Sequence, residues 1–153
     1  MRSRKMTAGI ASQTGGGQTD GGQTGEVQTG RSLAILIAGP EYERAHHAFV
    51  LAAGALALGR RVILFGGGAG VLALCRDWSG LVGASHDETF RARGVAGLET
   101  LRLAVFELGG EVLACEAGLR AAGLDEEALC PEATLCGVTR FLERSADAQI
   151  LSL

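Results

Sequence analysis

The sequence predicts a three-layer α/β/α fold with a mainly parallel five-stranded sheet, flavodoxin-like in outline. Short continuous apolar runs, which suit strands buried on both faces, recur along residues 32–153. Stretches with helical spacing separate these runs, and strands that alternate with helices over short joints favour a parallel sheet. The chain has 153 residues, of which 47% are apolar, so it is long enough for one domain with a substantial core.

The first two strands and the helix between them have the clearest signals. LAILIAG and RVILF are apolar runs of strand length. Between them, Pro40 fixes the backbone of a first helical turn, Glu41 and Glu43 complement the helix dipole, and Gly59 suits the C-terminal cap. These residues predict a strand, a helix and a second strand in that order.

The remaining elements follow along the chain. Residues 66–78 predict a helix opened by glycines, and residues 79–93 predict a longer loop. An apolar stripe at helical spacing over residues 98–108 predicts a helix that ends at two glycines. EVLAC then predicts the third strand, EAGLRAAG a short helix and DEEAL a single helical turn. TLCGVTRFLERSA combines a short strand with an amphipathic helix, and AQILSL predicts the last strand.

The N-terminal part of the chain differs from the rest in composition. Gln-Thr recurs at positions 13, 18, 23 and 28, in a segment too poor in apolar groups to offset the entropy of ordering it. We therefore expect a flexible Gly/Gln/Thr-rich leader over residues 1–31 and a single α/β domain over residues 32–153.

Charge and cysteine usage exclude several classes of protein. Residues 1–31 hold four of the 14 basic and two of the 17 acidic residues, which leaves ten against fifteen, a net charge of −5 that repels nucleic acid. The longest uncharged apolar run, residues 48–59, is shorter than the roughly 20 residues that a bilayer span requires. Four cysteines without a CxxC pair indicate reduced thiols in the cytoplasm. No zinc-like spacing is present and no cofactor is expected.

Ligands of open α/β sheets collect beyond the carboxyl ends of the strands, where helices begin. Gly39, Gly68 and Gly70 lie at two such joints, and Glu116 and Ala117 lie at a third, so these five are the candidate ligand-binding residues. The run from Gly68 also fits the GxGxxA form of the dinucleotide fingerprint. Because it follows the second strand, a tight turn is the preferred interpretation, and a nest of N–H groups for an anion is the alternative.

Cys115 is the candidate nucleophile. It ends the third strand and begins a helix whose dipole favours the thiolate, which is the nucleophilic form. Glu116 places a negative charge beside it, Arg120 is not assured as a counterweight, and a packed structural cysteine is the alternative. His46 and His47, in the first turns of the first helix, are candidate proton donors or anion-polarising groups, with idle surface histidines as the alternative.

The chain resembles the DsrE/DsrF-like proteins of sulfur relay over about residues 33–153. The resemblance rests on an ordered series of blocks, LAILIAGP, AAGALALG, RVILF, GGAGVLAL, ELGGEVLACEAGLRAAGL and CGVTRFLERSADAQILSL. It implies a five-stranded α/β subunit that assembles into trimers or hexamers. It also implies a cysteine that receives sulfane sulfur as a persulfide from a donor protein and passes it to an acceptor, and Cys115 matches that position.

Two functional hypotheses follow. In the first, the chain is a sulfurtransferase or persulfide carrier: Cys115 holds the sulfur, the N–H groups of Glu116 and Ala117 stabilise the anion, and His46 or His47 assists. In the second, the chain is a non-catalytic module that binds a small anion or a partner protein at the same edge, and Cys115 is only packed.

Overall fold

The computed structural model describes residues 30–153, which form one five-stranded sheet flanked by helices. The flexible leader predicted for residues 1–31 lies outside the described residues except for its last two. All strand pairs are parallel, and the strand order is β4-β3-β2-β1-β5. The strands are β1 Leu33–Ile37, β2 Val62–Gly66, β3 Glu111–Cys115, β4 Ala133–Cys136 and β5 Gln149–Ser152. The helices are α1 Tyr42–Ala57, α2 His86–Ala92, α3 Leu98–Glu107, α4 Glu116–Ala121 and α5 Val138–Arg144, with 3₁₀ helices over Gly68–Leu74 and Glu126–Ala128.

The direction of the crossovers explains why the sheet has two unequal faces. From β1 to β4 each strand is added on the same side of the one before, and right-handed crossovers then place their helices on one face. The return to β5 runs the other way, which places α5 on the opposite face. The three-layer α/β/α fold predicted from the sequence is confirmed.

The central strands are buried on both faces, which accounts for their continuous apolar runs. Ile35 and Ile37 of β1 pack in the larger core with α1 and α3, whereas Ala34 faces the smaller core beneath α5. In that smaller core the rings of Phe65 and Phe141 stack with centroids 4.8 Å apart and planes 10° apart. The alternation of faces along each strand decides which side chains can meet at the sheet edge.

Helix α1 ends where its sequence signals predict, but it begins at Tyr42, two residues after Pro40, which the sequence predicts in its first turn. Glu41 is the N-cap residue in an extended conformation, Glu43 lies in the first turn, and Gly59 follows the helix with φ +75°. Its buried positions recur every three or four residues and face the sheet and α3. These positions are Tyr42, Ala45, His46, Ala48, Phe49, Ala52 and Ala55.

The helix predicted over residues 66–78 is a 3₁₀ helix, tighter and shorter than expected. Gly68 begins it with φ +50°, and Gly70 lies so close to the end of β1 that a Cβ there would overlap the carbonyl oxygen of Ile37. A segment pressed this closely against a strand favours the narrower helix. The glycines are thus required by close backbone approach, as the tight-turn interpretation proposed.

The long loop predicted over residues 79–93 is wrong in one respect, because it contains α2. This helix is anchored by Asp87, which is buried and whose Oδ1 accepts hydrogen bonds from the Tyr42 hydroxyl at 2.8 Å and from the Leu98 N–H at 2.7 Å. Both donors are distant in sequence, and a seven-residue helix depends on such tertiary contacts more than on its own propensity.

Helix α3 carries the predicted apolar stripe, except that one predicted residue is exposed and a different residue is buried. Leu98 and Val105 are buried, but Leu108 lies beyond the helix end and is 50% exposed. Arg102 is buried in its place, and its Nη1 donates to the carbonyl oxygen of Cys75 at 2.8 Å. The guanidinium therefore ties α3 to the end of the first 3₁₀ helix.

Candidate functional site

The carboxyl ends of parallel strands meet at one edge of a sheet, and the candidate joints lie there. The joints follow β1, β2, β3 and β4, and each leads into a helix. Cys115, the predicted nucleophile, lies at the third of these joints.

Cys115 is a free, half-buried thiol at the junction of β3 and α4. It is the last residue of the strand and the N-cap of the helix, with φ −71° and ψ 116°. The N–H of Gly118 donates to Cys115 Sγ at 3.3 Å, which is the bond that an N-cap side chain normally accepts. Cys115 is therefore neither fully buried nor without a hydrogen-bond donor at its sulfur.

Sequence reasoning missed Gly118 as the donor, although its position three residues after the cap is the signal for one. A Cβ on Gly118 would overlap the carbonyl oxygen of Gly68 and lie 3.0 Å from its carbonyl carbon. Only glycine allows the first turn of α4 to rest on the 3₁₀ helix. This contact brings the joints after β2 and β3 together and fixes the direction of the N–H that faces Cys115.

The charge beside Cys115 is balanced within α4. The guanidinium of Arg120 forms an ion pair with the carboxylate of Glu116, one helical turn away. Both side chains are exposed, so this pair adds little to stability. It does offset the negative charge that Glu116 would otherwise present to a thiolate.

Cys136 is the neighbour of Cys115 on the adjacent strand. The two are register partners in the parallel pair β3–β4, and both are half-buried free thiols that pack against the smaller core; we call them the edge thiols. Burial raises the pKa of the Cys136 thiol, the charge of Arg140 opposes that shift, and the charge of Cys115 adds to it. The electrostatic effect of Cys115 on the pKa of Cys136 agrees with their close spacing.

Cys75 and Cys130, which we call the core thiols, lie in a different environment. Both are almost completely buried, and burial raises the pKa of each, with Arg102 partly offsetting the effect. The thiol of Cys75 donates to the carbonyl oxygen of Val71 at 3.7 Å. These features indicate a packing role for the core thiols.

The predicted histidines are placed away from the edge thiols. His46 is buried, its Nε2 lies 2.8 Å from the Ala96 carbonyl oxygen, and its ring contacts Tyr42 and Phe90. That cluster lies on the α1 face of the sheet, whereas Cys115 packs on the α5 face. His47 is exposed on α1. The structure therefore does not bring His46 to the sulfur of Cys115.

The glycine joints are partly committed to backbone contacts. The N–H of Gly67 donates to the carbonyl oxygen of Ile37 and the N–H of Gly70 to that of Gly67, both at 2.9 Å. A Cβ on Gly39 would overlap the side-chain carboxylate of Glu41, which therefore adds negative charge at the joint after β1. Because the N–H groups of Gly67 and Gly70 are already bonded, these joints offer an anion fewer free donors than their number of glycines suggests.

Two further properties concern the whole described part of the chain. Among residues 30–153 we find no group of three or more His, Cys, Asp and Glu side chains arranged to hold a metal ion. The longest helix of that region, α1, has 16 residues, and none there combines the length and apolar character of a bilayer span.

The parallel α/β fold has counterparts among solved structures. The chain is similar to the crystal structure of the ychN protein from E. coli, with 12% identity and a TM-score of 0.54 over 80% of this chain and 99% of that one. It is also similar to MTH1491 from Methanobacterium thermoautotrophicum, a protein of unknown function, with 17% identity and a TM-score of 0.53 over 81% and 100% of the two chains.

These similarities support a DsrE/YchN-like fold and, at such low identity, show the fold alone. No family model matches the sequence, and no curated protein matches it. Membership of the DsrE/DsrF-like proteins therefore stays a resemblance, and the function has to be argued from the site itself.

Proposed function

We propose that the protein is a sulfur carrier or sulfurtransferase that holds sulfane sulfur as a persulfide on Cys115. One observation carries the proposal: the half-buried Cys115 accepts, at its Sγ, a hydrogen bond from the Gly118 N–H at the carboxyl edge of the sheet. The thiolate is the form of cysteine that attacks sulfur, and a backbone N–H aimed at Sγ is positioned to stabilise negative charge that develops there. The resemblance to sulfur-relay proteins points to the same residue.

The proposed reaction has two displacements. The Cys115 thiolate attacks the outer sulfur of a donor persulfide, the donor S–S bond breaks, and the donor leaves as a thiolate with the electron pair. An acceptor thiolate then attacks the outer sulfur of the Cys115 persulfide and takes it. Cys115 returns to its thiolate, so the protein is neither oxidised nor reduced over the cycle.

The surroundings of Cys115 give each neighbour a defined part. The Gly118 N–H and the adjacent amides of Glu116 and Ala117 would stabilise the negative charge that stays on sulfur through both displacements. Arg120 neutralises Glu116 and so lowers the repulsion felt by an incoming anion. Neither histidine takes part in these displacements, because His46 is buried on the other face of the sheet and His47 is exposed on α1.

The setting of the carrier is also part of the proposal. All four cysteines are free thiols, which supports a reducing compartment such as the cytoplasm.

Assembly into a homo-oligomer, a trimer or a hexamer, is supported by exposed apolar side chains. Three of them are more than half exposed: Val138 and Leu142 on α5 and Ile150 on β5. Light scattering after gel filtration measures the subunit number, and a monomer at all concentrations would contradict the assembly.

Loading with a small-molecule persulfide tests the function. Trypsin releases residues 103–120 with Cys115 as their only cysteine, and residues 62–76 with Cys75. After incubation with glutathione persulfide and blocking with an alkylating reagent, the first peptide is expected to gain one sulfur atom and the second none. Cys115→Ser is expected to abolish the gain, and it retains a side-chain acceptor for the Gly118 N–H as a matched control.

The competing hypothesis, a module that binds a small anion or a partner protein, predicts the opposite result. Gly39, Gly68 and Gly70 would then provide the backbone surface of the ligand site, with Cys115 as packing. If Cys115 takes up no sulfur under conditions that load a control thiol, while wild type and Cys115→Ser bind the same anion equally by calorimetry, the carrier proposal is wrong.

A further inference from the structure

The two edge thiols have the spacing of a disulfide pair. Cys115 and Cys136 end neighbouring parallel strands as direct register partners. Neighbouring strands lie about 4.8 Å apart, which is inside the range of about 4.4–6.8 Å that the Cα atoms of a disulfide span. Sequence alone gives no sign of this, because the two residues are far apart along the chain and their pairing depends on strand order.

The side chains also point the same way. In parallel in-register strands, partner residues project from the same face of the sheet. Both edge thiols pack against the cluster that contains Phe65 and Phe141, whereas Ala114 and Leu135, one residue earlier, face the larger core. The two sulfurs therefore share one face and one edge. Both strands end at these residues, since α4 follows Cys115 directly and α5 follows Cys136 after Gly137, which leaves the backbone room to adjust.

The electrostatic surroundings give the two thiols different parts. Cys115 has a backbone N–H aimed at its sulfur, which suits the attacking thiol. Cys136 has a raised pKa, caused first by burial and opposed by the nearby guanidinium of Arg140. Cys136 lies beside Cys115 on the adjacent strand and is available to react once Cys115 has become modified.

We propose that Cys136 is the resolving thiol of Cys115, so that the two close to a disulfide and release the sulfur that Cys115 has accepted. This inference rests on the proposed function for the identity of the released group. The Cys136 thiolate attacks the inner sulfur of the Cys115 persulfide, the bond to the outer sulfur breaks, and hydrosulfide leaves with the electron pair. The Cys136 proton passes to solvent. The pair is oxidised by two electrons and the sulfane sulfur is reduced to sulfide.

A dithiol reductant closes the cycle and is itself oxidised to its disulfide. An acceptor that reaches the outer sulfur first receives it as sulfane sulfur, whereas attack by Cys136 on the inner sulfur releases sulfide instead. Cys136 thus sets how long the persulfide on Cys115 survives.

The first arm of the test needs no sulfur donor. The full chain is equilibrated in glutathione redox buffers, trapped and digested, and the linkage is read from the peptides. Residues 121–140 contain both Cys130 and Cys136, so a second cleavage after Glu132 separates them. We expect a link between residues 103–120 and Cys136 that dithiothreitol reverses, retained when both core thiols are replaced by serine. Mixed disulfides with glutathione alone, or a link to a core thiol, would overturn the pair.

The second arm loads Cys115 with glutathione persulfide, removes the donor and follows sulfide. Wild type is expected to release sulfide and form the disulfide. Cys136→Ser is expected to release sulfide at about one tenth of the wild-type rate, because an intramolecular attack is lost. Cys136→Ala is a second variant, which guards against misfolding of the first. Equal release by wild type and both variants would refute the inference even if Cys115 loads. A reversible disulfide without any loading would instead retain the pair and refute the proposed function.

Discussion

Replacing Gly118 with alanine perturbs the contact that positions the Cys115 site. The added Cβ would overlap the carbonyl oxygen of Gly68 and lie 3.0 Å from that residue's carbonyl carbon and Cα. These atoms belong to the backbone, so no side chain can rotate away. The first turn of α4 must move off the 3₁₀ helix, and the Gly118 N–H must move with it. Gly54 in α1 is the matched control, since a Cβ there has no atom within 4 Å.

Gly118→Ala and Gly54→Ala should change the free energy of unfolding in opposite directions. Overpacking costs about 1–3 kcal/mol, against a helix-propensity gain of at most about 1 kcal/mol, so Gly118→Ala should lose about 1–2 kcal/mol of stability. Gly54→Ala makes no clash and should gain about 0.5–1 kcal/mol. A difference of about 2 kcal/mol corresponds to a separation of about 8 °C in Tm for a domain of this size.

Urea unfolding and the rate of Cys115 alkylation by iodoacetamide measure the two consequences. We expect Gly118→Ala to unfold at lower urea and to alkylate up to about tenfold more slowly, because the donor no longer faces the sulfur. Gly54→Ala should unfold at higher urea with an unchanged alkylation rate. If Gly118→Ala were as stable and as reactive as wild type, the packing of α4 on the 3₁₀ helix, as we describe it, would be wrong.

Three other predictions concern the frame around the site. Hydrogen bonds from Arg144 lower the pKa of Glu111, so the stabilisation they bring is present above the ordinary carboxyl pKa of about 4.3 and disappears as pH falls through the lower folded value. Glu111→Gln should therefore flatten the acid side of the stability curve, and an unchanged slope would contradict this. Asp87→Ala leaves two buried donors unpaired and should cost about 2–4 kcal/mol in urea unfolding, whereas Tyr42→Phe removes one donor and should cost about 1 kcal/mol; equal losses would argue against the shared acceptor. Maleimide counted by mass should label the two edge thiols in the native protein and the core thiols only after unfolding; four equal rates would contradict the burial we describe.

The order of the elements could be read from the sequence because each strand carries its own local signal. The apolar runs of β1, β2 and β3 and the C-terminal glycine of α1 are local features, and the structure confirms them. Helix α2 could not be read in this way. Asp87 is polar by type, and its burial depends on Tyr42 and Leu98, which the chain brings together only after folding.

The site divides along the same line. Cys115 could be identified because a strand, a cysteine and a helix are consecutive in sequence. The partner thiol Cys136 depends on β3 lying beside β4 in register, and the requirement for glycine at 118 depends on where Gly68 comes to rest. Neither relation has a local signature. His46 is predicted to lie near the edge because it is close to it in sequence. The position of α1 instead places it on the face of the sheet opposite to Cys115.

The most direct test of the central claim is a round trip of one sulfur atom on the peptide of residues 103–120. The Cys136→Ser variant, which lacks the proposed resolving thiol, is loaded with glutathione persulfide, freed of donor, and sampled before and after an acceptor thiol is added in excess. We predict that this peptide gains one sulfur and then loses it to the acceptor, while the peptide of residues 62–76 keeps its mass throughout. A peptide that never gains sulfur, or gains it only to the same extent as that of Cys75, would contradict the assignment of sulfur transfer to Cys115.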